Sequence, residues 1–465
     1  VELRNKRVLV VGLGRSGMAA ARFLRARGAQ VTVSDSRPAA ALAHEEAALL
    51  EQGIFVESGA HGLLTFLRQD LIVVSPGVSV ETKELVLARG HGTPVIGELE
   101  LASRFLQGKI VAITGSNGKT TTTTLVGEIF KAAGLPTLVG GNIGLPVIEL
   151  VAQSTPETWS ILEVSSFQLE TVEQFRPQLA AVLNITPDHL DRHGSFENYA
   201  AAKARITAQQ TAEDALVLNG EDKPTQMVAA KTAARIFWFS GRRPIKQGAF
   251  VHGESVLFLA AEGGRPEPIL PLAEIPLKGA HNVENVLAAV ALARLAGIDA
   301  STIRRAVADF KAVDHRLQLV RVWRGIEFYN DSKATNVDAT IKALESFAGG
   351  VHLIMGGKDK DSDYTALAPL IRERVRAVYT IGSAAEKIER QLAGTVKIVS
   401  SGTLASAVPA AAQAAQAGEI VLLAPACASF DQFENYEHRG RAFVELVQAL
   451  GDETGTSVGK EGNGR

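Results

Sequence analysis

The segment Lys109–Thr124 constrains this chain more than any other. Ile110 to Ile113 read as a buried strand, Thr114-Gly-Ser-Asn-Gly118 as a tight glycine loop, and Lys119-Thr120 as the opening of a helix. Such a loop turns successive backbone N–H groups inward around a phosphate, and the helix N-terminus adds its positive dipole end. A lysine at position 119 then reaches the outer phosphates, and the Thr120 hydroxyl can hold Mg²⁺. Ile113 stands where a strict G-x-x-x-x-G-K-[ST] loop has its first glycine, so the pattern is a shortened one. A nucleoside triphosphate site is therefore predicted on Gly115, Ser116, Asn117, Gly118, Lys119, Thr120 and Thr121.

Upstream, strand Val8–Val11 runs into Gly12-Leu-Gly-Arg-Ser-Gly17, a full G-x-G-x-x-G ahead of a helix expected over Met18–Arg27. A second strand, Val31-Thr-Val-Ser34, ends at Asp35, where a Rossmann unit carries its ribose-binding acid. A third, Leu71–Val74, leads into Ser75-Pro-Gly77. NAD(H) fits this pattern. So does another diphosphate, such as that of a UDP-sugar, because a helix dipole does not distinguish them.

Downstream, a short strand precedes the glycine turn Leu138–Gly144, and Trp159–Glu163 places a carboxylate in an apolar strand, costly unless paired or on a metal. Strand Ala180–Ile185 delivers Thr186-Pro-Asp-His-Leu-Asp-Arg-His193, followed by a helix over Phe196–Gln210 with Ser195 as N-cap. Thr120, Glu163 and His189 are the candidate Mg²⁺ ligands, although that ion prefers oxygen to imidazole. By pattern alone Lys203 is a solvent-facing helix lysine. Strands follow at Ala215–Leu218, Arg235–Phe239 and Ser255–Leu259, then Gly279-Ala-His-Asn-Val-Glu-Asn285 opens a long helix. Beyond Asp314-His-Arg316 come strands Val320–Trp323, Ile326–Tyr329, Val351–Met355, Ala377–Ile381 and Ile420–Leu423, and a helix over Leu404–Ala417 interrupted at Pro409.

This alternation predicts three α/β domains: Rossmann-like over 1–96, central and P-loop-type over 97–312, and Rossmann-like again over 313–450, with a loose tail at 451–465. A net charge of −2 with mixed signs leaves no electrostatic footprint for nucleic acid. The single cysteine, Cys427, excludes an internal disulfide and fits a reducing cytoplasm; it reads as a small buried residue after a strand. No apolar run reaches the roughly 18 residues that span a bilayer. The N-terminus leads straight into a strand, so no secretory signal is expected.

Taken together, Thr114–Thr120, Leu162-Glu-Val-Ser-Ser-Phe-Gln-Leu169, Asn184–Arg192 and Gly279–Asn285 resemble the Mur ligases, ATP-dependent amide-bond-forming enzymes of peptidoglycan precursor synthesis. Asp314-His-Arg316, Asn330-Asp-Ser-Lys-Ala-Thr-Asn336 and Pro425–Phe433 are similar to the D-glutamate-adding branch, and the match runs in order from about Val8 to Leu450. The resemblance implies ATP with two Mg²⁺ ions, and UDP-N-acetylmuramoyl-L-alanine and D-glutamate as substrates. It implies no nucleic-acid or membrane partner, and a cytoplasmic monomer. It turns the first domain from NAD to the uridine diphosphate, on Gly14, Arg15, Ser16, Asp35, Ser36, Arg37, Ser75 and Asn142. Lys119, Glu163, His189 and Lys203 become catalytic, with Lys203 at the position of a carbamylated lysine that would serve the second ion beside His189. His281, Asn285, Arg316, Asp331 and Lys333 fall near ATP, with the last domain closing over it through hinges near 97 and 313. Thr335, Lys360, Ser429 and Tyr436 fall where D-glutamate binds; Lys358 can substitute for Lys360, and Tyr436 can equally be a core packer.

Overall fold

The computed structural model describes residues 2–311 and 314–451. All but the first residue of the expected tail, and the expected 312/313 boundary, lie outside the described residues. The chain forms two compact units, the first ending at Lys311.

The first unit holds two sheets. One is wholly parallel, in the order Phe55–Ser58, Gln30–Asp35, Arg7–Val11, Leu71–Val74, Val95–Gly97. Its central strands are unbroken apolar runs because both faces are covered: Val8 and Val10 enter one core, Leu9 and Val11 another. Strand order reverses between Arg7–Val11 and Leu71–Val74, and a ligand crevice belongs outside the carboxyl ends at that point. The following helix starts at Arg15 rather than Met18, since Gly14 serves as its N-cap.

The other sheet has nine strands, in the order Glu267–Pro271, Ser255–Leu259, Gly248–His252, Arg235–Ser240, Ala215–Asn219, Leu179–Val182, Lys109–Thr114, Trp159–Glu163, Thr137–Gly141. All pairs are parallel except the two made by Ser255–Leu259. The phosphate-loop strand thus lies between the strand that ends in Glu163 and the one that leads towards His189. The helix after Ser195 ends at Ala204, not Gln210, and continues as a 3-10 turn over Arg205–Thr207. Thr207 Oγ1 donates to the Ala204 carbonyl at 3.0 Å, and such local bonding competes with the α-helical ladder.

The two sheets of this unit are joined through helix Glu98–Ser103. Buried Glu100 accepts from the backbone N–H groups of Glu173, Gln174 and Phe175 and from Arg104 Nε. Glu98 Oε1 accepts from Ile148 N at 2.7 Å. Residues on both sides of position 97, where a hinge was expected, fall in this one compact unit, and these carboxylates fasten the segment to the nine-stranded layer.

The second unit carries one sheet, in the order Gln318–Trp323, Ile326–Asn330, Ile420–Leu423, Val351–Gly356, Val375–Ile381, Lys397–Gly402, antiparallel only at its first pair. Helix Leu404–Ala414 runs through Pro409 without the expected interruption. Ala405, whose carbonyl the proline cannot serve, is exposed, so water can satisfy it. Among the described residues no helix is long and apolar enough to cross a membrane.

Candidate functional site

Thr114 ends its strand buried, and the chain turns through Gly115 and Gly118 into helix Lys119–Ala132. Gly118 must be glycine: its φ is +85°, and a Cβ there would lie 2.2 Å from Asn285 Oδ1. The loop is pinned from outside. Ser116 N–H donates to the Asn184 carbonyl, and Asn117 N–H to Asn184 Oδ1 at 2.8 Å, while Ser116 Oγ lies 3.0 Å from the Tyr199 hydroxyl. Lys119 folds back so that Nζ donates to the carbonyls of Gly115 and Ser116, each at 2.9 Å. Lys203 reaches the same Gly115 carbonyl at 2.8 Å. Two amines therefore converge on one carbonyl at the mouth of the phosphate loop.

Lys203 is not the solvent-facing lysine its helix pattern suggests; it is 1% exposed, with Nζ 4.6 Å from the Tyr199 ring centroid. Tyr199 precedes it by one helical turn, a spacing that could have flagged both. Burial, and then the Lys119 charge, hold the Lys203 amine well below the usual lysine range, against the pull of Asp188 and Glu163. His189 takes a left-handed conformation (φ 52°) at the start of a short helix, edge-on to Phe167 at 4.9 Å. Asp188 beside it, largely buried, is a site residue that the sequence reading missed.

Glu163 resolves the problem of a carboxylate in an apolar strand. Its Oε2 accepts from Thr120 Oγ1 at 2.8 Å and its Oε1 from Asn142 Nδ2 at 2.9 Å. A hydroxyl and a carboxylate side by side are hard oxygen donors that suit Mg²⁺. Among the described residues no group of three or more His, Cys, Asp or Glu could hold a metal alone. The triphosphate and water would have to complete the shell.

Asn142 also lines a cleft of about 600 Å³ with Gly14, Arg15, Ser16, Asp35, Ser36, Arg37 and Ser75. This is the crevice at the strand-order reversal. Ser75 Oγ donates to the Gly12 carbonyl across it at 2.7 Å. Gly17 permits the close approach of helix and loop, since a Cβ would fall 1.9 Å from Gly12 O. Asp35 accepts from Leu13 N–H at 2.7 Å and from Arg37 at 2.9 Å. Burial raises its carboxyl, but these donors outweigh that and hold it below the ordinary range. Arg15 donates to the Gly144 carbonyl, closing the far wall. All eight residues expected around the nucleotide-sugar thus share one cleft, which meets the phosphate loop through Asn142, Glu163 and Thr120.

Asn285, on helix Ala280–Leu295, accepts from Thr122 Oγ1 at 3.4 Å and so sits behind the loop; His281 lies one turn earlier on that helix.

In the second unit the expected residues gather at the ends of three neighbouring strands, Ile326–Asn330, Ile420–Leu423 and Val351–Gly356. Asp331 is buried, which pushes its carboxyl up to about 6 against the Arg316 charge and the Leu317 N–H. Lys333 places its ammonium 4.9 Å from the Tyr436 ring centroid, and Tyr436 is half-buried, at the first position of its helix. Thr335 and Lys360 are half-buried and Ser429 is buried. Arg439, missed from the sequence, staples these loops. Fully buried, it donates to Ser332 Oγ and O and to the carbonyls of Cys427 and Ala428.

Comparison with known proteins gives three domain matches in chain order. Residues 6–97 match the Mur ligase MurD-like, N-terminal domain, 113–293 the Mur ligase middle domain, and 315–427 the Mur ligase, glutamate ligase domain. The UDP-N-acetylmuramoylalanine--D-glutamate ligase of Acidobacterium capsulatum is 66% identical over 449 residues, 97% of each chain. The Koribacter versatilis protein of the same name is 56% identical over 97% of this chain and 99% of its own. Among solved structures, a pseudomurein peptide ligase type C from Methanothermus fervidus (TM-score 0.60) and a UDP-N-acetylmuramate-alanine ligase from Thermotoga maritima (0.59) share the fold. Each is 20% identical and covers 96% of this chain and 99% of its own.

Proposed function

The chain belongs to the Mur ligase family, and from that premise we infer that it joins D-glutamate to UDP-N-acetylmuramoyl-L-alanine in an ATP-driven ligation of peptidoglycan precursor synthesis. The observation that carries the reading is the run Asn142–Glu163–Thr120, which connects the nucleotide-sugar cleft to the phosphate loop. An acceptor carboxylate leaving that cleft would arrive beside the γ-phosphate.

Two anions must then be brought together, and fixed positive charge is what lowers that barrier. The Lys119 amine, turned into the loop mouth, would swing from its carbonyl partners onto the phosphate oxygens. Bound Mg²⁺, held by Thr120 and Glu163, would neutralise triphosphate charge. The acceptor carboxylate attacks the γ-phosphorus, ADP leaves, and the substrate becomes an acyl phosphate. The amine of D-glutamate next attacks that carbonyl carbon, and phosphate departs from the tetrahedral intermediate as the amide forms. Thr335, Lys360, Ser429 and Tyr436 of the second unit would bind D-glutamate; lysine and hydroxyl donors suit a dicarboxylate. Arg316, Asp331, Lys333, His281 and Asn285 would serve ATP, and residues 1–96 the uridine diphosphate.

Two finer points belong to the same proposal. Burial favours the neutral form of the Lys203 amine, and that form can take up CO₂ as a carbamate, losing one proton and gaining an anionic oxygen donor. With His189 it would serve a second Mg²⁺. These substrates also place the enzyme in the cytoplasm.

The test is isotopic. With ¹⁸O in the acceptor carboxylate, the acyl-phosphate route moves one label into the released phosphate. Phosphate free of label, with label in AMP instead, would replace this route by adenylylation.

A further inference from the structure

The second unit contains a hydrogen-bonded chain that the ligation chemistry leaves unused. The loop after strand Val351–Gly356 bears both candidate lysines, Lys358 and Lys360, with Asp359 between them. Asp359 accepts from Lys387 Nζ at 2.7 Å, from the Tyr364 hydroxyl at 2.7 Å and from Ser362 N–H at 3.1 Å. Lys387 projects from helix Ala385–Gln391 and also lies 5.7 Å from the Tyr364 ring centroid. Tyr364 is fully buried, and its hydroxyl is 2.9 Å from Cys427 Sγ.

Cys427 stands two residues before Ser429. Between them Ala428 exchanges both backbone hydrogen bonds with Lys358, at 2.9 and 3.1 Å. The lysine loop and the Ser429 loop are therefore joined twice: by backbone at Lys358–Ala428, and by side chains along Lys387–Asp359–Tyr364–Cys427. Lys387 Nζ also lies 3.4 Å from Asp361 Oδ1, so its charge is shared between two carboxylates of this loop.

Resting on the ligase reading above, we propose that Asp359 is a positioning residue that sets the spacing between the loop lysines and Ser429, and so the chain length of the dicarboxylate accepted. Burial alone would raise its carboxyl; Lys387 and Tyr364 hold it below the ordinary range, which matches a permanently ionised clamp. A looser clamp admits the four-carbon homologue more readily, because one methylene is all that separates D-aspartate from D-glutamate.

Asp359→Asn and Lys387→Met, with Tyr364→Phe as the mildest change, test this by steady-state kinetics on the full chain. The first two raise KM for D-glutamate about tenfold or more and lower the D-glutamate to D-aspartate ratio of kcat/KM. KM for ATP, kcat and the thermal midpoint stay close to wild type. Cys427 is the sole cysteine, so its alkylation by N-ethylmaleimide reports the same link without turnover, and it accelerates in Asp359→Asn. An unchanged KM for D-glutamate overturns the proposal, as do all constants and the midpoint falling together, which a merely structural role gives. Equal alkylation rates in wild type and Asp359→Asn overturn it independently. Wild-type enzyme that releases no phosphate with D-glutamate instead sinks the ligase reading, and the substrate assignment falls with it.

Discussion

Lys203 shows how little a side chain's sequence position says about its surroundings. Its helix is short and barely amphipathic, yet the residue lies fully buried against Gly115 O and the Tyr199 ring. An amine whose charged form is disfavoured by burial and by Lys119 has no reason to persist there for stability, since a buried polar group costs free energy that an apolar one does not. Lys203→Met is therefore expected to fold with an equal or higher thermal midpoint while kcat falls about a hundredfold or more. Wild-type enzyme stripped of CO₂ should lose activity and one CO₂ of intact mass, and regain both in bicarbonate. Full activity in Lys203→Met, or mass and activity indifferent to CO₂, would refute the carbamate. The neighbouring residues were partly legible. Glu163 announced itself as a carboxylate in an apolar strand, whereas Arg439 acts through a partner distant in sequence, Ser332, as does the Tyr199 hydroxyl through Ser116.

At the scale of elements, helix Glu98–Ser103 fastens one sheet to the next through two buried carboxylates of unlike character. Glu100 has four donors. Glu98 accepts from Ile148 N–H through Oε1, and its Oε2 is buried without a partner. Burial, reinforced by Glu149 and only partly offset by the Ile148 and Val147 N–H groups, pushes the Glu98 carboxyl up to about 7. The folded state thus keeps a proton that the unfolded chain releases near 4.5, so stability is greatest below that value and falls as pH rises to 7. The difference is worth roughly 3 kcal/mol. Glu98→Gln should abolish most of this fall: between pH 5 and pH 8 the thermal midpoint of wild type drops further than that of the variant. Parallel profiles would show that Glu98 ionises freely in the fold. Element type was legible wherever apolar runs were long, as at Val8–Val11 and Ile110–Ile113. The edge strands Phe55–Ser58, Val95–Gly97, Glu267–Pro271 and Lys397–Gly402 were not, because an edge needs little apolar surface and tolerates proline and charge. Pro409 misled in the other direction, since an exposed helix face can lose one hydrogen bond to water.

At the scale of the molecule, three sheets put their polar clusters at the carboxyl ends of their strands. That is why motifs separated by hundreds of residues could be read as parts of one chemistry. The glycine loop Gly12–Gly17 alone did not distinguish NAD from a nucleotide-sugar; what favours the latter is a cleft wall that ends on Asn142, whose side-chain amide donates to Glu163 behind it. The joining of the first two sheets into one unit was not legible, because it depends on Glu98 and Glu100 meeting backbone N–H groups some 50 to 75 residues away. Phosphate release from ATP with UDP-N-acetylmuramoyl-L-alanine, supplying D-glutamate, L-glutamate, L-lysine or meso-diaminopimelate in turn, tests the ligation itself. Release is expected with D-glutamate alone, with a product heavier by one glutamyl residue. Release driven by another of these amino acids, or none with D-glutamate, would contradict it.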